Sequence, residues 1–205
     1  MLHSSRWHSR RRRPQSSRRV HVGQLERLAA RAAEGDSLAQ AALIRETQTD
    51  VWRLCAHLAD RQVAEDLTQE TFLRALPALP GFEGRSSLRT WLLSIARRVC
   101  ADHLRARKRR GLVLVSDDTD LADLVRDVPE DEVGGSVAAQ DVLDRLEPER
   151  REAFVLTQLI GLPYAEAAEV VGCPIGTIRS RVARAREDLV EALVAADHPR
   201  TRRPS

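Results

Sequence analysis

The residues of this chain best suited to chemistry lie near its C-terminus. Gly172-Cys173-Pro174-Ile175-Gly176-Thr177-Ile178-Arg179-Ser180-Arg181-Val182-Ala183-Arg184-Ala185-Arg186 reads as a tight turn and then a helix with four arginines and no acid in its first turns. A helix that lies in the DNA major groove looks like this: free backbone amides at its start, and basic side chains that reach base edges and phosphates. A solvated helix face can have the same composition, so neighbouring segments must decide. Residues 85–110 hold nine basic residues against the single acid Asp102, a density that attracts nucleic acid with steep salt dependence. Asp66, Gln69, Glu70 and Leu73 stand at i, i+3, i+4 and i+7. They share one polar, acidic helix face, opposite an inward face of Ala64, Leu67, Thr71 and Ala75. Bond-breaking chemistry finds no such foothold. There is no phosphate-binding glycine loop, no His-Glu-x-x-His, no cysteine pair at zinc spacing and no glycine-rich strand-to-helix turn. Asp102-His103 is a lone pair with a structural reading. The expectation is a binding protein that is not an enzyme, with no cofactor and no metal.

The elements that must hold these residues are helical. Ala, Leu, Arg and Glu abound, aromatics make up 3% of the 205 residues and charged residues 31%, so the cores are small and aliphatic. Asp36 suits an N-cap for a helix running to about Ala59, with Leu43, Val51, Leu54, Cys55 and Leu58 on its apolar side. A shorter helix over 22–33 precedes it. A third spans about 61–76 and stops at Pro77. After the loop Pro80–Arg85, Ser86 or Ser87 caps a fourth helix to about Lys108, with Leu88, Trp91, Leu92, Ile95, Ala96 and Val99 as its buried stripe and Arg97, Arg98, Arg105 and Lys108 opposite. Phe82, on a glycine-flanked loop with little core to join, is the candidate for stacking on an unpaired base. Pro148 and Pro163 suit first helical positions, and the last helix starts at Pro174 and fades near Ala196.

Charge divides the chain further. Residues 1–19 carry seven arginines and no acid; with these set apart from the chain's +3, the remainder carries −4. Residues 1–21 therefore read as a disordered basic arm, either a nonspecific phosphate-binding tail or an extension without a role, with Val20 or Val22 as alternative starts. Asp117 to Glu132 holds eight acids and one arginine and is followed by Gly134-Gly135, a flexible acidic linker. The expected organisation is an all-α chain of two small helical domains, 22–110 and 136–196, joined by a linker over 111–135 and ending in a tail over 197–205. The acidic linker could fold back on the basic helix. No apolar run approaches 18 residues, so no membrane insertion is expected. Cys55, Cys100 and Cys173 lie far apart, odd in number, and fit helix packing in a reducing cytoplasm better than a disulfide frame.

With both blocks in view, the chain closely resembles the extracytoplasmic-function class of sigma-70 family RNA polymerase sigma factors, and within it the actinobacterial sigma C type. The first block matches in Asp66-Leu67-Thr68-Gln69-Glu70-Thr71-Phe72-Leu73-Arg74-Ala75, in Phe82-x-Gly84-x-Ser86-Ser87-Leu88-Arg89-Thr90-Trp91-Leu92, and in Ile95-Ala96-Arg97 with Asp102-His103-Leu104-Arg105. The second matches in Leu146-x-Pro148-x-x-Arg151-Glu152, in Gly161-Leu162-x-Tyr164-x-Glu166-x-Ala168, and in the segment from Gly172 to Arg186. The resemblance implies that the first domain is sigma domain 2, whose Asp66, Gln69, Glu70 and Leu73 dock on the β′ clamp helices of core polymerase. It implies that Phe82, Ser86, Ser87, Arg97, Arg98 and Arg105 hold the melted −10 strand, at a cost of a few kcal/mol for unstacking a base. The second domain would be the helix-turn-helix sigma domain 4. Arg179, Ser180, Arg181, Ala183 and Arg184 would read the −35 element while Thr177 and nearby amides grip phosphate. Further partners implied are the β flap, promoter DNA and an anti-sigma factor of the kind many relatives have. Three positions depart from the family pattern: Arg98 in place of a common Asn, Glu83 and Arg85 with reversed signs, and Pro163 in place of Ser or Thr. A stand-alone helix-turn-helix regulator is the alternative; it would not need the Asp66 face.

Overall fold

A computed structural model describes the backbone of residues 15–114 and 142–197, and the side chains of residues 23–110 and 142–194. All regular elements among the described residues are helical. In chain order they are α1 (Gln15–Ala33), α2 (Ser37–Leu58), α3 (Ala64–Ala78), α4 (Leu88–Leu114), α5 (Pro148–Phe154), α6 (Tyr164–Val171) and α7 (Ile175–Asp197).

Local chemistry explains the boundaries. Asp36 caps α2, its carboxylate accepting from the amides of Leu38 and Ala39 at 2.9 and 3.0 Å. Those bonds, chiefly the one from Ala39, and Arg31 beside it hold the Asp36 carboxyl below its ordinary value. Ser87 caps α4, accepting from the amide of Thr90 at 3.1 Å. Pro148 opens α5 as expected, whereas Pro163 sits one position earlier than expected, as the N-cap of α6. Helix α3 carries Pro77 inside its last turn, runs to Ala78 and passes into a 3-10 turn, Leu79–Gly81. Pro77 has no N–H to continue the i→i−4 ladder, so the α-helix ends one residue later and the chain tightens. Helix α1 starts at Gln15, inside the basic arm expected over 1–21. Helix α4 likewise takes residues 111–114 from the expected linker. The rest of the arm, the acidic segment and its fold-back, residues 136–141 and the last eight residues lie outside the described residues.

Helices α2, α3 and α4 pack together around Val51, Leu54, Cys55, Ala64, Leu67, Phe72, Ala75, Leu92, Leu93, Ala96, Val99 and Cys100, all buried. Helix α1 lies across one end through Ala29 and Ala32, against Ala39, Leu43, Leu79 and Leu88. The second block buries Ala153, Val155, Leu156, Ile160, Leu162, Ala167, Ala168, Val170, Ile178 and Val182. The two helix sets remain distinct, yet their apolar residues form one continuous cluster, with α4 packed on α6 and α2 on α5.

Leu54 of α2 is fully buried in this cluster, whereas Leu104 is 41% exposed. Leu54→Ala is expected to lower unfolding free energy by about 2–5 kcal/mol. Leu104→Ala should stay within about 0.5 kcal/mol of wild type, as an exposed site does. Urea titration followed by circular dichroism measures both, and equal losses would show that the core assignment is wrong.

Candidate nucleic-acid interface

Helix α3 turns Ala64, Leu67, Thr71 and Ala75 inward, as its periodicity requires. This leaves Asp66, Gln69 and Leu73 exposed, Leu73 by 69%, and Glu70 half-buried beside them. Glu70 accepts from Arg74 at 2.7 Å, Arg74 donates to Asp102 of α4 at 2.9 Å, and Asp102 accepts from Arg105 at 2.6 Å. Arg105 and then Arg74 hold the Asp102 carboxyl below its usual range. Beside Gln69 an open groove of about 470 Å³ runs between α2 and α3, lined by Ile44, Trp52, Thr68 and Phe72 among others.

The six residues expected on a −10 surface do not all share one exposed face. Phe82 is half-buried and has a core to join: its ring lies 5.2 Å from that of Trp91, tilted by 48°. Arg98 and Arg105 point outward, and Ser86 is half-buried. Ser87 and Arg97 lie beneath the second block. Glu166, in the first turn of α6, accepts from the hydroxyls of Thr90 at 2.7 Å and Ser87 at 3.1 Å. Arg97 donates through Nε to Glu152 of α5 at 2.6 Å, and Glu152 is only 7% exposed. Arg89 joins them, with Nε on Asp50 at 2.6 Å and Nη2 on the Ile160 carbonyl at 2.8 Å. That carbonyl follows a π-helical turn, Val155–Leu159, which ends α5. Thr90, Arg89, Glu152 and Glu166 were not among the expected site residues. Glu152 had a sequence signal, an acid flanked by the apolar run Ala153–Leu156.

At the far end of the second block, Gly172 closes α6 in the left-handed region at φ 75°, where a Cβ would be strained. The chain then re-enters helix at Ile175, giving the helix-turn-helix. Buried Ile178, Val182 and Ala185 fix the rotation of α7, so Arg179, Ser180, Ala183 and Arg184 form one exposed face. Thr177 is half-buried behind it. Arg181 does not share that face; it turns back to pair with Glu149. Arg186 donates to Gln158 at 2.8 Å.

The family model for Sigma-70 region 2 matches residues 43–110, and that for Sigma-70 region 4 matches residues 136–189. The chain is 51% identical over 164 residues to the probable RNA polymerase sigma-C factor of Mycobacterium bovis and equally to the ECF RNA polymerase sigma factor SigC of Mycobacterium tuberculosis, covering 80% of this chain and 88% of each relative. The chain belongs to the extracytoplasmic-function sigma factors of the sigma-70 family. Among solved structures it is similar to CnrH in complex with the cytosolic domain of CnrY, with a TM-score of 0.62 and 27% identity over 83% of this chain and 97% of that one. It is also similar to RpoE of Bartonella quintana in complex with the anti-sigma factor NepR, with a TM-score of 0.61 and 30% identity over 74% and 94%. As an RNA polymerase sigma factor it directs core polymerase to promoters and initiates transcription, which removes the stand-alone regulator reading. Helices α2–α4 form region 2 and α5–α7 region 4. Among the described residues no helix is long and apolar enough to cross a membrane.

Regions 2 and 4 of this sigma factor thus meet through carboxylates of region 4 set on hydroxyls and a guanidinium of region 2. His57 of α2 stands near the same junction. Burial chiefly, then Arg151, Arg61 and Arg53, hold its imidazole below the ordinary value against the opposing pull of Asp144. Its Nδ1 has no hydrogen-bond partner among the described residues. Below about pH 6.5 a released His57 takes up a proton that the packed one refuses, so packing of region 4 on region 2 weakens as pH falls. Protection factors of α4 amides, each referred to the intrinsic exchange rate at its own pH, should fall from pH 7.5 to pH 5.5, less so in His57→Gln. Glu166→Ala should raise exchange at pH 7.5 in the first turns of α4; unchanged protection there would show that Glu166 does not hold the junction.

Proposed function

We propose that three surfaces divide the work of this sigma factor. Asp66, Gln69, Glu70 and Leu73 dock on the β′ clamp helices of core polymerase. The one exposed leucine supplies apolar contact, and the carboxylates supply charge that steers and orients association. On α4 and the residues leading into it, Ser86, Ser87, Arg97, Arg98 and Arg105, with Phe82 behind them, hold the −10 strand. Because Phe82 rests on Trp91, its part is to support the loop and offer a ring edge rather than a free stacking platform. On α7, Arg179, Ser180, Ala183 and Arg184 read the −35 element in the major groove, while Thr177 and the first amides of the helix meet phosphate. Region 4 also meets the β flap. The chemistry of RNA synthesis is left to core polymerase, so the chain acts in the cytoplasm and not as an enzyme.

The single observation that carries this reading is the exposed face of α7 behind the Gly172 turn, with no acidic residue in it. The packing of region 4 on region 2 adds a resting form. Glu152 and Glu166 stand on Arg97, Ser87 and Thr90, groups that would otherwise meet DNA phosphates. Core polymerase must separate the two regions before the −10 strand can bind. An anti-sigma factor is a further partner in kind, as RpoE of Bartonella quintana was solved with the anti-sigma factor NepR; such a partner would compete for the surfaces that the two regions now offer each other.

Arg184→Ala should weaken binding of the holoenzyme to a promoter by about 1–3 kcal/mol, the range for a base-reading contact. An unchanged affinity in filter binding at fixed salt would remove Arg184 from the reading set. Asp66→Arg should abolish co-purification with core polymerase while leaving the circular dichroism spectrum and thermal midpoint near wild type. Run-off transcription on genomic fragments with core polymerase tests the whole reading.

A further inference from the structure

Helix α7 carries four arginines, and the structure divides them. Arg179 and Arg184 belong to its exposed face, Arg186 donates to Gln158 at 2.8 Å, and Arg181 pairs with Glu149 in the first turn of α5. Buried Ile178, Val182 and Ala185 fix the rotation of α7, which puts Arg181 at the flank of the buried stripe and three positions before Arg184. Residues at that spacing are neighbours on a helix surface. The long Arg181 side chain therefore has two directions open to it: back to α5, or outward past Arg184. Its side chain is 21% exposed and that of Glu149 is 71% exposed. An isolated exposed ion pair is weak, but this one joins helices that already lie together. Phe154 of α5 and Leu189 of α7 pack on one cluster with Leu143, Leu146 and Ala185, and Arg150 donates to Asp188 at 2.7 Å. Forming the Glu149–Arg181 pair thus orders little beyond two side chains.

We infer that Glu149 is a positioning residue for DNA recognition: it holds Arg181 back from the phosphates beside the −35 groove, and so limits the sequence-independent share of region 4's affinity. The inference rests on the reading that α7 enters that groove. Phosphate contacts fix register and add affinity on every sequence, whereas contacts to base edges carry the discrimination. Each phosphate that a duplex-binding protein neutralises steepens the fall of log K with log salt by about 0.9. With Arg181 turned to Glu149, α7 makes one such contact fewer, and the carboxylate opposes the approach of a second anion to the same guanidinium. Arg179 and Arg184 are left to meet the groove. Removing the carboxylate frees a cation that stands next to Arg184 and within reach of the duplex backbone. The chain then grips all DNA more tightly and reads none of it better.

The test measures equilibrium binding of holoenzyme, reconstituted with core polymerase, over a series of salt concentrations. The probes are a promoter fragment chosen by run-off transcription and an unrelated duplex, at a temperature that keeps both closed. Glu149→Gln should steepen the salt slope by about one on both duplexes and tighten binding several-fold at low salt, with the thermal midpoint of the free chain near wild type. Arg181→Ala should remove that increment in the Glu149→Gln background and change the slope far less in wild type. No steepening in Glu149→Gln, equal steepening with and without Arg181, or a full unit lost in Arg181→Ala alone would each overturn the inference. Arg184→Ala tells its failure from that of the reading beneath it. Weaker promoter binding in Arg184→Ala, with no steepening in Glu149→Gln, overturns the role of Glu149 alone. Unchanged binding in Arg184→Ala overturns the α7 reading and the inference with it.

Discussion

Glu152 is a carboxylate surrounded by the apolar side chains that join regions 2 and 4, and a buried charge of this kind is tolerated only beside a counter-charge. Removing the partner of such a pair costs about 3–5 kcal/mol. Arg97 is the cation that meets it, at 2.6 Å and from the other region. The position of α5 over α4 is therefore not free: the carboxylate must find Arg97, and Ala153, Val155 and Leu156 follow it into the shared core. Glu166 adds a second tie of another strength. It is bound by two hydroxyls rather than a cation, and neutral donors hold a carboxylate less firmly than a guanidinium does. The junction combines one strong charge pair with weaker polar contacts beside the shared apolar cluster.

The same physics explains why parting need not be costly. Arg97, Ser87 and Thr90 are an anion site, and a carboxylate and a phosphate are alternative occupants of it. In the proposed reading the −10 strand replaces Glu152 and Glu166, and region 2 then exchanges one set of charge-assisted bonds for another. What region 4 loses is made good by hydration of two carboxylates that are no longer buried. The Glu70–Arg74–Asp102–Arg105 chain of ion pairs links the α3 face to α4 by contrast through exposed groups, and exposed pairs of this type contribute little each. Rigidity between those two helices comes from their packed side chains.

Local signals in the sequence went a long way. The inward set on α3, the Asp36 cap, the Pro148 start and the Gly172 turn follow from spacing and from single residue types, and each stands in the structure as expected. What escaped was every relation across long sequence distance. Arg97 was correctly placed opposite the buried stripe of α4, but periodicity cannot show that another region covers that side. Arg181 matches Arg179 and Arg184 in composition; its place three residues after Ile178 turns it to the flank of the buried stripe, where Glu149, 32 positions earlier, pairs with it. Phe82 read as a loop aromatic without a core because Trp91, its partner, read as belonging to its own helix.

One asymmetry bears on the order of events at a promoter. The contacts that tie region 4 to region 2 come from α5, the turn after it, and the start of α6, while α7 presents Arg179, Ser180, Ala183 and Arg184 to solvent. In the proposed reading the packed form hides the −10 groups and leaves the −35 groups open. Hiding the strand-binding side is the more useful of the two, because the −10 strand binds only after duplex melting, and an open anion site would otherwise hold any single strand or phosphate backbone at low salt. The −35 helix, by contrast, reads an intact groove and depends on base contacts for its selectivity. In that reading, a sigma factor built this way meets double-stranded DNA first and gains its grip on the melted strand when core polymerase has drawn the two regions apart.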